Sequence, residues 1–382
     1  MRNAVCQPIV RTILDHLENR QSWQVDSTTH IPAGNYADPA HLTLEKEQLF
    51  RRLPQVMALS SELAEPGSHV TRDPLGLPII VSRTRDGEIA ACVNVCAHRG
   101  AQVVEGAGCS RRMTCPYHSW GYDHDGTLAA VPDAGAFADV EVPGPGLRRL
   151  PAFEANGLVW VIPDLGAAPE AEDLGVAAGL GPIADDLDNF GLGQMQHWRT
   201  HRFELELNWK LVIDTFLEPY HFASLHPTTV GPYFIPNLCF AERFGSHVRE
   251  ILPRKSLVEL HEMAPGDWDI VPHSAMVYVL FPNTVFVMQL DHVETWRVYP
   301  DGDDPGRSIC DLDFYIPLDS EAPERHWDRN WRLTIDTVID EDFHAMAGAQ
   351  RGLATGALDA IVAGANEPAL GMFHRSLADA LT

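Results

Sequence analysis

A chain of 382 residues, 45% hydrophobic and 21% charged, is long enough for two globular domains and ordinary enough in composition to bury a core in each. Its formal net charge of −25 argues against nucleic acid and anionic membranes as partners, because an acidic surface repels phosphates. No run approaches the ~18 apolar residues of a membrane span. Seven cysteines, an odd number, predict free thiols in a reducing cytoplasm. The N-terminus, MRNAVCQPIVRTILDHLENR, predicts a charged amphipathic helix without the apolar core of a signal peptide.

Residues 1–44 are accordingly assigned to a helical segment that packs on the domain formed by residues 191–382. Residues 45–163 hold short alternating runs such as LPIIVSRT and IAACVNV between Gly, Pro and Asp turns, the pattern of a small all-β domain closed by the strand GLVWVIP. Residues 164–190 carry seven acids and no Lys or Arg and predict a surface linker. In residues 191–382 a strand, RTHRFELELN, precedes a helix. Four runs, SAMVYVLF, TVFVMQL, TWRVYP and SICDLDFYIP, then predict an antiparallel sheet, followed by a helix over 322–352 and a shorter one ending at Thr382. The fold class is α+β.

Two short motifs carry chemistry. CVNVCAHRG and TCPYHSWGY each supply one thiol and one imidazole, Cys96 with His98 and Cys115 with His118. A Rieske-type [2Fe-2S] cluster needs two cysteines on one iron and two histidines on the other. Structural zinc is the competing reading, but zinc sites pair like ligands, C-x2-4-C and then H-x3-5-H, which this order does not follow. Gly100, Gly108, Pro116 and Gly121 punctuate the loops, where glycine lets backbone amides approach cluster sulfurs.

Further on, NWKLVIDTFLEPYHFASLH contains Glu218, His221 and His226. Iron(II) that activates oxygen is held by two histidines and one carboxylate, with open positions for O2. Glu218 and His221 share a helical face, but His221 and His226 are five residues apart, about 500° of rotation, so a regular helix would splay them. The helix must be distorted or broken there. Cys6, Cys92, Cys109, Cys239 and Cys310 receive no role; core packing is the default for Cys92 and Cys310.

The segments CAHRG…CPYHSWGYDHDGTL and NWK…EPYHFASLH closely resemble the Rieske non-haem iron oxygenases, as the catalytic alpha subunit of ring-hydroxylating and demethylating systems. The resemblance implies an all-β Rieske domain on a catalytic domain whose curved, helix-grip-like antiparallel sheet holds the iron helices. It implies a mononuclear Fe(II) on His221, His226 and Asp342, because in the family the third ligand precedes a glutamine by eight residues, here Gln350, followed by Gly352 and Leu353. Asp340 and Glu341 are adjacent competitors, and about 100° between successive helical residues lets only one point at the metal.

By the same resemblance Glu218 links His118 to His221 as the electron path. Many relatives place Asp there; Glu occurs in several, including demethylases of quaternary amines. Many also have Asn where this chain has Thr215. The implied function is a terminal oxygenase that uses O2, with electrons from NAD(P)H through a separate ferredoxin or flavin reductase, to hydroxylate an organic, aromatic or largely apolar, small-molecule substrate. N- or O-demethylation is the alternative within the family, and a non-catalytic electron carrier or metal-binding protein the alternative outside it. A homotrimer, with or without a small beta subunit, is implied. Phe216, Leu217, Phe234, Met276, Tyr278, Phe281, Val285 and Val287 are candidates for the substrate pocket by placement.

Overall fold

Residues 3–167 and 175–382, which the computed structural model describes, combine antiparallel sheets with helices in an α+β fold. They form two compact units, Phe50–Ala178 and Met1–Leu49 with Gly179–Thr382. Among the described residues no helix is long and apolar enough to cross a membrane.

In the first unit a five-stranded sheet runs Arg149–Leu150, Ile89–Val93, Ile79–Arg83, Ser68–Arg72, Ala107–Cys109. Two three-stranded sheets accompany it. Strand alternation builds two cores. Ile79, Val81, Ala91 and Val93 face one cluster with Met57, Val70 and Val159. Ile80 and Cys92, pointing the other way, join Met113, Trp120, Tyr122 and Leu128 around Cys96 and Cys115. Burial pushes the Cys92 thiol up to about 12, which keeps it an inert core residue.

The second unit is built on a seven-stranded antiparallel sheet in the order Met195–Leu205, Ser308–Pro317, Val293–Pro300, Thr284–Met288, Ser274–Leu280, His247–Pro253, Phe240–Phe244. The four predicted runs are its centre, and Met195–Leu205 closes one edge by pairing along all of Ser308–Pro317. On one face Tyr278 and Phe286 meet Phe190, and the Tyr278 hydroxyl donates to Asp186 at 3.0 Å. The opposite face looks onto the helix Glu324–Thr337, and the site lies between them.

Two expectations are corrected. Residues 164–190 are not all surface: Val176–Leu180 and Pro182–Asn189 are helices, and Asp186 is buried in an ion pair with Arg249 at 2.7 Å. Their acids read as solvated because the partner guanidinium lies 63 residues away. The part of this stretch over 168–174 lies outside the described residues. The N-terminal segment is not wholly helical. Its helix Asn3–Glu18 buries Cys6, Ile9, Val10, Ile13 and Leu14, one stripe at helical spacing, but Thr29–Pro32 is a strand paired with Ala360–Ala363. The β-rich compact unit spans Phe50–Ala178.

One buried acid offers a test of this packing. Glu250, in the strand His247–Pro253, is fully buried, and among the described residues no N–H or O–H donor reaches either carboxyl oxygen. Burial raises its pKa from 4.5 to about 8. The folded chain therefore holds a proton that the unfolded chain releases between pH 4.5 and about 8, so this group's contribution is intact at low pH and is lost as pH rises through that window. Glu250→Gln, which cannot ionise, should flatten the decline: denaturant midpoints of the two proteins should agree at pH 5 and favour the variant at pH 8.5. Equal midpoints at both values would show that Glu250 is ionised or hydrated in the native state.

Candidate metal centres and substrate cavity

The first pair of motifs sits on two loops of the β-rich unit. The strand Ile89–Val93 feeds the loop that carries Cys96 and His98, and Met113–Thr114 feeds that of Cys115 and His118. Each loop turns back on itself: Gly100 N donates to Cys96 O at 2.9 Å and Ser119 N to Cys115 O at 3.0 Å. Gly100 has φ +76° and Ser119 +59°, a conformation easy for the first and costly for the second. Asn94 braces the first loop by accepting from Val103 N at 2.7 Å and donating to Val104 O at 2.8 Å.

The four side chains converge. Both thiols are buried, the two imidazole centroids lie 4.6 Å apart, and His98 stacks flat on Trp120 at 4.9 Å. Among the described residues Nδ1 of His98 and of His118 are buried without a hydrogen-bond partner, an expensive arrangement unless something binds them. Tyr122, which the sequence did not single out, places its hydroxyl 3.1 Å from Cys96 Sγ and accepts from Ala97 N at 3.0 Å. Gly108 lies elsewhere, in a strand, where an added Cβ would meet the His69 ring at 3.0 Å.

The second motif follows a helix, Trp209–Asp214, whose N-terminus is pinned by the NWK residues. Asn208 caps it by accepting from Lys210 N at 3.0 Å. Trp209 Nε1 donates to Glu45 at 2.8 Å, and Lys210 forms a fully buried ion pair with the same carboxylate at 2.6 Å. The chain then leaves the helix. His221 and His226 stand at the two ends of a separate short helix, Phe222–Leu225, with His226 in a non-helical conformation. The break brings both rings to one point, with centroids 4.9 Å apart.

Asp342 meets them from another helix. Its Oδ1 lies 3.3 Å from His221 Nε2 and 3.0 Å from His226 Nε2, and one ligand atom from each of the three residues lies within 4.8 Å of the others. Asp342 belongs to a π-helical turn, Val338–Phe343, between Glu324–Thr337 and His344–Ala354. Gln350 holds that helix in register: its Oε1 accepts from Asn208 N at 2.9 Å and its Nε2 donates to Tyr36 O at 3.1 Å.

The outer nitrogens are engaged as well. His221 Nδ1 bonds to Glu218, and His226 Nδ1 lies 2.6 Å from Glu341, which also accepts from Thr229 Oγ1 at 2.6 Å. Glu341 is therefore not a solvated competitor of Asp342. The two acids touch opposite nitrogens of one ring and need not point the same way. Asp340 is exposed. Burial lowers the pKa of His221, but hydrogen bonds to Asp342 and Glu218 overcome it and take the ring to about 10. His226 is raised by Asp342 and Glu341 against the same penalty. A site that pulls protons this strongly carries surplus negative charge, the condition that a divalent cation satisfies.

A cavity of about 440 Å³ opens beside these residues, with His226 and Asp342 in its wall. Of the pocket candidates, Phe216, Phe234 and Val287 line it. Leu217, Met276, Tyr278, Phe281 and Val285 do not. Successive strand residues face opposite sides, so Ala275 and Val277 line the cavity while Met276 and Tyr278 point away. Val285 shares the face of Val287 but pairs with Val279, further along the strand. Leu217 is fully buried beneath the turn, and Phe281 N donates to His247 at 3.0 Å beyond the strand end. The sequence reading missed the polar wall: Arg254, Gln289, Asp291, His292, Glu294 and His326.

Comparison with known proteins now fits this geometry. Residues 54–151 match the model of the Rieske [2Fe-2S] domain, and residues 192–382 that of the ring hydroxylating alpha subunit catalytic domain. Spinach (Spinacia oleracea) choline monooxygenase is 27% identical over 85% of this chain and 72% of its own length. The carnitine monooxygenase oxygenase subunit of Escherichia coli is 33% identical over about half of each protein, 52% of both. The solved structure of naphthalene 1,2-dioxygenase from Rhodococcus sp. superposes with a TM-score of 0.72 at 20% identity and covers 98% of each chain, a shared fold. The chain thus belongs to the Rieske non-haem iron oxygenases, as a terminal oxygenase alpha subunit with a Rieske [2Fe-2S] domain and a mononuclear-iron catalytic domain.

Proposed function

We propose that Cys96 and Cys115 hold one iron of the cluster, His98 and His118 the other, and His221, His226 and Asp342 the mononuclear iron. The observations that carry this are two: Nδ1 of His98 and His118 are buried beside two buried thiols with no hydrogen-bond partner among the described residues, and Nε2 of His221 and His226 converge on one oxygen of a buried carboxylate, Asp342. When bound, the two centres supply stored electrons, delivered from NAD(P)H by a reductase, and the activation of O2 for insertion into the substrate. Glu218 and Glu341 accept the outer N–H of His221 and His226, so each ring keeps its Nε2 lone pair aimed inward. Glu218 also links His221 toward His118, and in a homotrimer that link joins the cluster of one copy to the iron of the next.

The substrate reading we adopt is oxygenation beside a quaternary nitrogen in a molecule that also bears a carboxylate. Phe216, Phe222, Tyr233 and Phe234 put aromatic rings in the wall, a lining suited to a cationic head. The Arg254 guanidinium lies 4.6 Å over Phe234 and donates to Gln289 Oε1 at 2.7 Å and Ser274 O at 3.4 Å. Among the described residues no carboxylate pairs with it. Burial holds its pKa below the usual range, so an incoming anion would be welcome. The cavity's own acids are otherwise engaged, Asp291 and Glu294 with His292 and Asp342 with the two candidate ligands. The choline and carnitine monooxygenases act on molecules with such a head. Ring hydroxylation of an aromatic compound is the second reading, favoured by the apolar wall of Val230, Leu252, Val277 and Val287.

Metal analysis tests the ligands. Wild type should carry three irons and a Rieske spectrum. Asp342→Ala should lose one iron and keep the spectrum, Glu341→Gln should weaken that iron's binding about 10- to 100-fold, and Asp340→Ala should change neither. Full iron in Asp342→Ala would move the third ligand elsewhere.

For Glu218, Glu218→Gln should leave all three irons in place while oxidation of the reduced cluster by O2 and turnover both fall sharply. Wild-type reoxidation in that variant would remove Glu218 from the electron path.

Substrate class is tested with L-carnitine, choline and naphthalene, reductase and NADH, with product analysis under O2. Arg254→Gln should raise KM for L-carnitine about 10- to 100-fold and leave choline unchanged. Conversion of naphthalene alone would replace the quaternary-amine reading with the aromatic one.

A further inference from the structure

Outside the metal cluster, the cavity wall holds four titratable side chains in one hydrogen-bonded row. His326 Nε2 lies 2.6 Å from Asp291 Oδ2, Asp291 Oδ1 lies 2.9 Å from His292 Nδ1, and His292 Nε2 lies 3.4 Å from Glu294 Oε1. The row begins at the surface and ends inside. The side chains of His326 and Asp291 are 28% and 38% exposed, those of His292 and Glu294 only 8% and 4%. All four line the same cavity as His226 and Asp342.

The geometry is that of a relay. His292 is engaged at both ring nitrogens, so a proton can enter at Nδ1 and leave at Nε2 without the ring turning. The ring is held flat on Phe314, with centroids 4.4 Å apart and planes at 19°. Glu294 is aimed by two donors, Trp296 Nε1 at 3.0 Å and Thr334 Oγ1 at 2.8 Å. Trp296 packs in turn against Phe216, which lines the cavity, and against Phe343, next to Asp342. The other charged groups on this wall are Arg254, Arg329 and Asp342, and Asn330 lies 3.3 Å from His326. Burial lowers the pKa of His292, but hydrogen bonds to Asp291 and Glu294 more than offset it. Burial raises that of Asp291, and hydrogen bonds from the two imidazoles more than offset that.

We propose that His326, Asp291, His292 and Glu294 form a proton-delivery path from solvent to the cavity in which O2 is reduced. The proposal rests on the cavity being the oxygenation site. Inserting one oxygen atom balances as R–H + O2 + 2 e− + 2 H+ → R–OH + H2O. The C–H and O–O bonds break, a C–O bond forms, and the second oxygen leaves as water. The electrons come from the reductase. Both protons must reach a cavity that substrate fills, and the relay carries them while substrate blocks the mouth. Release of peroxide in place of product consumes two protons as well, so total O2 uptake reports on the path with or without product.

The experiment uses the iron-loaded full chain with reductase, NADH and L-carnitine, and measures O2 uptake, product and peroxide in H2O and D2O. Glu294→Gln keeps the shape, and its Oε1 can accept from Trp296 while its Nε2 donates to the Thr334 hydroxyl, but it cannot pass a proton. It should slow O2 uptake about 10- to 100-fold and enlarge the solvent isotope effect, with iron content and anaerobic cluster reduction at wild-type values. His292→Ala should behave alike and recover with added imidazole, which a merely structural histidine would not do. Wild-type uptake and isotope effect in Glu294→Gln would overturn the relay. Should His292→Ala lose iron, Glu294→Gln alone decides. If wild type takes up O2 but converts no L-carnitine, the substrate reading fails while the relay is still measured; if wild type takes up no O2 under any condition, the oxygenation reading and the relay fall together.

Discussion

One carboxylate oxygen, Asp342 Oδ1, sits between two imidazole nitrogens, and the rest of the catalytic unit is arranged around the charge this creates. Uncompensated charge away from water is costly. Glu218 and Glu341 add to the surplus from behind the two rings, so with neutral imidazoles the cluster carries −3, which a divalent cation reduces to −1. The same carboxylates fix the tautomers: an outer nitrogen that donates its proton to an acid leaves the inner one as a ligand. The centre is thus over-determined toward metal and under-satisfied without it.

Holding that geometry requires two departures from regular helix. The chain breaks between Asp214 and Phe222, so that two histidines five residues apart face one point, and it widens into a π turn over Val338–Phe343, where Glu341 and Asp342 approach one imidazole from opposite sides. Irregular backbone needs rigid supports. On one side these are the capped helix anchored by Lys210 and Glu45; on the other, Gln350 ties the π-containing helix to the same cap residue, Asn208. The NWK lead-in and the glutamine eight residues after the ligand are therefore two halves of one clamp.

The cavity shows a division of labour across the sheet. One face packs against the helix Pro182–Asn189 through Tyr278 and Phe286, and the other lines the cavity. A shift of one residue along a strand exchanges the two, so placement near the iron motif does not separate Met276 and Tyr278 from Ala275 and Val277. The acids of residues 164–190 misled for a related reason: composition described Asp186 as a solvated charge, whereas Arg249 buries it.

The two metal motifs were legible because ligands on one loop are near each other in sequence, and chemistry restricts which residue types can serve at that spacing. The α+β class followed from strand alternation and helical periodicity, which are local properties of the chain. What the sequence by itself determined was therefore where residue types with metal-binding chemistry are concentrated, in two separate stretches. Only the tertiary structure decided that Glu341 braces His226, that Arg254 has no carboxylate partner among the described residues, and that Asp291, His292, Glu294 and His326 form one row on the cavity wall. Each of these depends on residues tens to more than a hundred positions apart meeting across the sheet or between helices, and no local spacing records the register of a strand or the length of a π turn.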